Sequence, residues 1–386
     1  MKLLSIVGAR PNFMKIAPLV HAVAAHNEKP GARPVKHVLV HTGQHYDPAL
    51  SDRFFEELGI PEPDHHLEVG SGTHAYQVGQ TMIGFEPVML AEKPDWVVVV
   101  GDVNATCSCS LTAKKYQYRV AHIEAGLRSN DWSMPEEVNR VVTDRLSDLL
   151  LTTCRFADEN LAKEGVAPER IVRVGNIMID TLERQRKLAE NRDPREILRA
   201  NRPSGLGAPA FDPLGADGFG VLTLHRPSNV DEPAVLKRNV ELILELAETV
   251  PLVFPVHPRT AGRLREFGFA DRLNEHPRVA IVSPLGYLDL LVLTSKARVV
   301  LTDSGGIQEE ACVLGAPCLT LRANTERPAT LAENGGTNLL VGTDPDKVRA
   351  AFRQVLGQER RPSRPPLWDG HTAERILATL LERTPA

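Results

Sequence analysis

The chain has 386 residues, 42% hydrophobic and 24% charged, which suits a globular protein of two domains with ample core. Its 45 basic and 49 acidic side chains leave a net charge of −4, so no global basic balance points to nucleic acid or to a membrane surface. The five cysteines form no CxxC pair and no zinc pattern, no apolar run reaches transmembrane length, and no signal-peptide core precedes the first strand. Buried thiols in a reducing cytoplasm are expected.

Along the first half, strands are predicted at 2–7, 35–41, 96–100, 119–123, 148–153 and 171–174. Helices fall between them near 14–26, 74–92, 105–117, 135–147 and 155–164. The run Trp96–Val100 is apolar on both faces, as central strands of parallel sheets are. A helix over 177–199 leads into a Pro/Gly-rich connector at 202–213. A second series of strands follows at 219–224, 252–256, 278–283, 298–302, 317–321 and 338–341, and the tail, 371–383, reads as an amphipathic helix. This rhythm predicts an α/β fold of two Rossmann-like, doubly wound domains, 1–175 and 176–370, with an active site in the cleft between them.

The chemistry-bearing residues follow predicted strand ends, where ligands of such sheets bind. Gly8-Ala-Arg-Pro-Asn-Phe-Met-Lys15 supplies a tight turn and two cations, Arg10 and Lys15, for a polyanionic ligand. Asp102 follows the strand 96–100 and is placed equally well for catalysis and for capping a helix. Glu124 comes directly after the strand 119–123, and Pro135-Glu-Glu137 opens a helix. Asp102, Glu124 and Glu136 together form the carboxylate set that proton transfer on both faces of a small substrate needs.

In the second half, His225 and Arg226 end one strand, and His257 and Arg259 end the next. The histidines lack a third close ligand, so phosphate contact by His225, Arg226 and Arg259 is expected rather than a metal site. Asp303-Ser-Gly-Gly-Ile-Gln-Glu-Glu-Ala311 lies between a strand and a helix. There the N–H groups of Ser304, Gly305 and Gly306 would seat a diphosphate, aided by glycine conformations closed to larger residues. Glu310, one turn on, would take the hydroxyls of a ribose. With neither zinc spacing nor a GxGxxG fingerprint, no metal or nicotinamide cofactor is expected.

These segments together resemble the non-hydrolysing UDP-N-acetylglucosamine 2-epimerase family. The matching pieces are GARPNFMK (8–15), HTGQHYD (41–47), GDVNAT (101–106), HIEAGLR (122–128), MPEEVNR (134–140), HRPSNVD (225–231), PVHPR (255–259), DSGGIQEEA (303–311) and TERP (325–328). The resemblance implies a glycosyltransferase-B fold in which the final helix, 371–386, crosses back to the first domain. It implies a cytoplasmic homodimer acting on a UDP-sugar for cell-surface polysaccharide synthesis. The reaction implied is reversible inversion at C2, in which UDP is eliminated to leave an enzyme-held 2-acetamidoglucal and then re-added.

Carried over by position, Arg10, Lys15, Asp102, Glu124, Glu136, His225 and Arg226 match residues of the catalytic cleft, and Ser304, Gly305, Gly306 and Glu310 match the UDP seat. Gln44, Arg226 and His257 match positions of a regulatory second site, although Asp47 stands where a glutamine is usual. The chain departs from the well-known bacterial members at Pro-Asn-Phe-Met-Lys, where they have Pro-Glu-Ala-Ile-Lys, and at Val-Asn after Asp102, where they have Thr-Thr. Its segment between Glu124 and Glu136 is also about two residues shorter. A hydrolysing relative would carry an Arg-Ala-(Asp/Glu)-Tyr first loop. A glycosyltransferase or a nucleotide-sugar sensor would leave the carboxylate set unused. Relatives acting on diacetamido-glucuronic acid nucleotides leave the sugar open.

Overall fold

The computed structural model describes residues 1–8, 10–43, 58–204 and 210–385, with the side chains of Arg10 and Pro11 excepted. The chain divides into two compact units. One comprises Met1–Thr181 with Pro366–Ala386, and the other Leu182–Pro365. The division falls inside the helix Ile177–Ala189.

The first unit holds strands β1 (Lys2–Val7), β2 (Lys36–His41), β3 (His65–His66), β4 (Trp96–Val100), β5 (Val120–Ala125), β6 (Leu149–Thr152) and β7 (Ile171–Arg173). They form one parallel sheet in the order β3-β2-β1-β4-β5-β6-β7. Strand side chains alternate between faces, so the apolar runs feed two cores. Leu3, Val98, Val100 and Ile123 join one; Leu4, Ile6, Val97 and Val99 join the other. The C-terminal helix Thr372–Glu382 completes the first core with Ile376, Leu377 and Leu380. Asp180 accepts the N–H groups of Thr372 and Ala373 at 3.1 and 2.7 Å, supplying the cap that helix lacks in its own sequence.

The second unit holds β8 (Gly220–Thr223), β9 (Leu252–Pro255), β10 (Val279–Val282), β11 (Val299–Thr302), β12 (Cys318–Thr320) and β13 (Asn338–Leu340). These also form a parallel sheet, in the order β10-β9-β8-β11-β12-β13. In each sheet the strand order reverses once, at β1/β4 and at β8/β11. The crevice beyond the strand carboxyl ends at such a point is where a doubly wound sheet binds its ligand.

Three expectations need correction. The helix expected over 177–199 is two helices, Ile177–Ala189 and Pro194–Ala200. Pro194 has no N–H to continue the first and disfavours a helical residue before it, so it starts the second, with the Asp193 side chain accepting from Arg195 N. Strand β3 went unpredicted because two residues show no periodicity. Glu124 lies inside β5 rather than after it, at a register irregularity between Ile123 and Ala125. No described helix is long and apolar enough to cross a membrane.

Candidate active site

At the switch point of the first unit, β1, β4 and β5 bring their ends together. Asn12 ties the ends of β1 and β4: its side-chain oxygen accepts from Gly8 N at 3.3 Å and its amide donates to the Val100 carbonyl at 3.0 Å. Lys15, one turn later on the helix Arg10–Asn27, is buried and ion-paired with the buried Glu124. Glu124 has φ 70°, a left-handed backbone that costs a non-glycine residue about 1–3 kcal/mol and that clusters at functional sites.

Gly101 also has φ 70°, and a Cβ there would lie 3.2 Å from Lys15 Nζ and 3.3 Å from Glu124 Oε2. Only glycine fits both its conformation and this close approach. Asp102, half-buried, pairs with the buried Arg140, whose other nitrogen holds Glu137 at 2.7 Å.

The structure separates the two glutamates of Pro135-Glu-Glu137. Glu137 is buried and clamps Ser129 N, Asn130 N and Arg140 at 3.0, 2.8 and 2.7 Å. Burial pushes its carboxyl up, and those bonds outweigh it, holding the group below the usual range. Glu136 stays half-buried at the start of the helix Pro135–Leu146. Glu137 is therefore fully engaged within the fold, and Glu136 stays a candidate for chemistry together with Asp102 and Glu124. Among the described residues, no group of three or more His, Cys, Asp or Glu could hold a metal ion.

At the switch point of the second unit the centre is Asp303, fully buried at the end of β11. It takes His225 N, Arg226 N and Asn229 Nδ2 at 2.9, 2.8 and 3.0 Å, and pairs with His225 Nδ1 at 2.8 Å. Burial works against its charge, but these partners prevail and keep Asp303 below the ordinary carboxylate range. The His225 ring is thereby oriented, with Nε2 left as the nitrogen that Asp303 does not engage. Asp303 has no predicted role of its own; its signal in the sequence is a carboxylate between an apolar strand and a glycine turn.

The helix Gly305–Leu314 begins at the Ser-Gly-Gly turn with its first N–H groups at the positive end of the dipole. Contrary to expectation, neither glycine has a positive φ. A Cβ on Gly305 would lie 2.7 Å from Glu326 Oε1, whereas one on Gly306 would meet nothing. The N–H of Ser304 donates to Thr302 Oγ1 at 3.0 Å, leaving the hydroxyl and the Gly305 and Gly306 N–H groups at the turn. The TERP segment lies under this helix: Glu326 pairs with Arg322 at 2.8 Å, and Arg327 with Glu309 at 3.0 Å. Glu310 is buried, and burial pushes its carboxyl up to about 7, against the stabilising Tyr287 hydroxyl and with the help of Glu309.

Comparison with known proteins decides the family. The model of the UDP-N-acetylglucosamine 2-epimerase family matches residues 28–381. The chain belongs to that family. It is 42% identical over 382 residues to the UDP-N-acetylglucosamine 2-epimerase of Methanocaldococcus jannaschii, covering 98% of this chain and 99% of that protein. It is 38% identical to the UDP-2,3-diacetamido-2,3-dideoxy-D-glucuronate 2-epimerase of Pseudomonas aeruginosa, covering 98% and 99%. Among solved structures, the M. jannaschii UDP-GlcNAc 2-epimerase in complex with UDP-GlcNAc and UDP is similar with a TM-score of 0.87 and 41% identity. That match covers 99% of this chain and 100% of that one. The Neisseria meningitidis UDP-GlcNAc 2-epimerase bound to UDP-GlcNAc has a TM-score of 0.82 and 28% identity, covering 99% and 100%. The fold class is that of the family, a glycosyltransferase-B type built from doubly wound α/β units.

The remaining family positions fall out as follows. His257 lies against His225, the rings tilted by 44° with centroids 5.6 Å apart, and its Nδ1 accepts from Arg259 N at 3.2 Å. The Arg259 guanidinium pairs with Asp231, its Nε donating at 2.9 Å. Gln44 and the side chain of Arg10 lie outside the described residues.

Proposed function

We propose that the protein interconverts UDP-N-acetylglucosamine and UDP-N-acetylmannosamine without hydrolysis. The observation that carries this reading is Glu124, held in a left-handed conformation against Lys15 and beside Gly101, with Asp102 at the adjoining strand end. Backbone strain at a buried carboxylate facing a lysine suits proton transfer better than architecture.

A carboxylate of the set Asp102, Glu124 and Glu136 takes the C2 proton. The C1–O bond to UDP breaks with its electrons leaving on the diphosphate, and a C1=C2 bond remains in 2-acetamidoglucal. A proton returned to the other face of C2, with the diphosphate oxygen re-forming its bond to C1, gives the epimer. Every atom and electron is conserved, so no oxidant or reductant enters.

The second unit seats UDP. The Gly305 and Gly306 N–H groups and the Ser304 hydroxyl hold the pyrophosphate, with His225 and Arg226 as its side-chain donors, and Glu310 holds the ribose. The protein works as a homodimer. Tyr76, Ile83 and Leu90, exposed by 50, 65 and 39%, form one stripe of the helix His74–Glu92 opposite its buried Phe85 and Met89. A second copy would bury that stripe, and a monomeric mass by light scattering would refute this.

The test of the activity is proton NMR with UDP-N-acetylglucosamine in deuterated water. The expected result is UDP-N-acetylmannosamine carrying deuterium at C2, at equilibrium with substrate and without net UDP. Accumulation of free UDP and N-acetylmannosamine would instead identify the hydrolysing reaction. Turnover only of the 2,3-diacetamido-glucuronate nucleotide would move the substrate to that sugar.

A further inference from the structure

Behind Glu124 lies a buried polar network that the proposed chemistry does not touch. His122, on β5 and fully buried, makes two contacts: Nε2 to the Gly101 carbonyl at 2.8 Å and Nδ1 to Asp144 Oδ1 at 2.6 Å. Both partners carry acceptor oxygens, so the ring bridges the Gly101 carbonyl and the Asp144 carboxylate. Asp144, on the helix Pro135–Leu146, uses its other oxygen for Gly126 N at 3.0 Å and for Arg128 at 2.7 Å. Burial pushes the Asp144 carboxyl up, but His122 and Arg128 prevail and hold it below the usual range. Arg128 in turn forms a two-bond pair with Glu164 at 2.7 and 2.8 Å.

The backbone it grips flanks the strained residue on both sides. Gly126 is fixed through its N–H by Asp144 and through its carbonyl by Asn160 at 3.0 Å, and a Cβ there would lie 2.5 Å from the Ala157 carbonyl. Gly101, which carries Asp102, donates its N–H to the Ile123 carbonyl at 3.1 Å and offers its own carbonyl to His122. A strained conformation persists only where its surroundings over-determine it, and here every one of these ties ends on residue 101, 123 or 126.

We propose that His122 and Asp144 are positioning residues for the epimerisation, a buried hydrogen-bonded pair that sets the Gly101–Asp102 turn and the Glu124 backbone relative to each other. The inference rests on the proposed role of those carboxylates. A misplacement of about 1 Å in such a set costs about 10²-fold in rate. Asp144→Asn removes the charge and one acceptor while keeping the shape, and His122→Gln removes the two-ended bridge.

Full-length wild type and both variants are compared by proton NMR in deuterated water for kcat and C2 exchange, and by calorimetry with UDP alone. The UDP seat lies in the second unit, so the expected result is kcat and C2 exchange lowered together by about 10²-fold, with UDP affinity within about threefold of wild type. A kcat within about twofold of wild type in either folded variant overturns the inference. So does a loss of UDP affinity in step with turnover in both variants, since that marks the pair as general core. Inactive wild type would instead sink the proposed function and is read from the same spectra.

Discussion

Replacing Glu310 by Gln should stabilise the protein and weaken its ligand at the same time. Glu310 is buried, and its carboxyl is pushed from an ordinary 4.5 to about 7. Below pH 4.5 folded and unfolded chains both hold the proton and the group has no effect. Between 4.5 and 7 the folded chain keeps a proton that the unfolded chain releases, so stability falls as pH rises, and above 7 the full penalty is present. At about 1.4 kcal/mol per pH unit, a rise of this size is worth about 3 kcal/mol at pH 8 and under about 1 kcal/mol at pH 5. Gln carries no charge to desolvate, so the Tm of Glu310→Gln should exceed that of wild type by roughly 6–12 °C at pH 8, and by far less at pH 5. UDP affinity should move the other way, dropping on the order of ten- to a hundredfold as charge-assisted bonds to the ribose are lost. Differential scanning calorimetry over pH 5–8 and titration with UDP read both effects. A variant less stable than wild type at pH 8, or a gap that does not change with pH, would mean that Glu310 is ionised and paired in the fold, and the reasoning would fail.

Asp102→Asn, Glu124→Gln and Glu136→Gln should each lower kcat by about 10²–10⁴-fold while UDP affinity holds; losses confined to KM would make these groups sugar ligands. Gly306→Val should fold normally yet lose UDP binding, because its side chain enters space that no protein atom fills, whereas Gly305→Ala should lower Tm by pressing on Glu326. Wild-type UDP binding by Gly306→Val would place the diphosphate elsewhere. Asp303→Asn should weaken UDP binding and turnover together, since it loosens His225 and the N–H of Arg226 in one step; unchanged steady-state constants would remove Asp303 from the site. Exhaustive chelation should leave activity intact, and loss restored by a divalent cation would overturn the proposed chemistry.

Much of this protein can be read from its sequence because parallel strands buried on both faces are continuous apolar runs. Trp96–Val100 and Val299–Thr302 stand out by composition alone, and the polar residues that end such runs must reach the carboxyl edge of the sheet. For the same reason Asp102, His225 and the Ser304-Gly305-Gly306 turn could be named before any coordinates. Tertiary structure alone decided the surroundings of each carboxylate. Glu136 and Glu137 are adjacent and chemically alike, yet helix geometry turns one towards Arg140, Ser129 and Asn130 and leaves the other half-buried. The left-handed backbone of Glu124 has no local signature, because glutamate does not prefer it. Its neighbours His122 and Gly126 are tied to Gly101 and Asp144, which are distant in the chain and meet them only when the sheet closes on its helices. The burial that raises the Glu310 carboxyl, and the His225, Arg226 and Asn229 contacts that overcome burial at Asp303, are likewise properties of the packed fold and not of any segment of it.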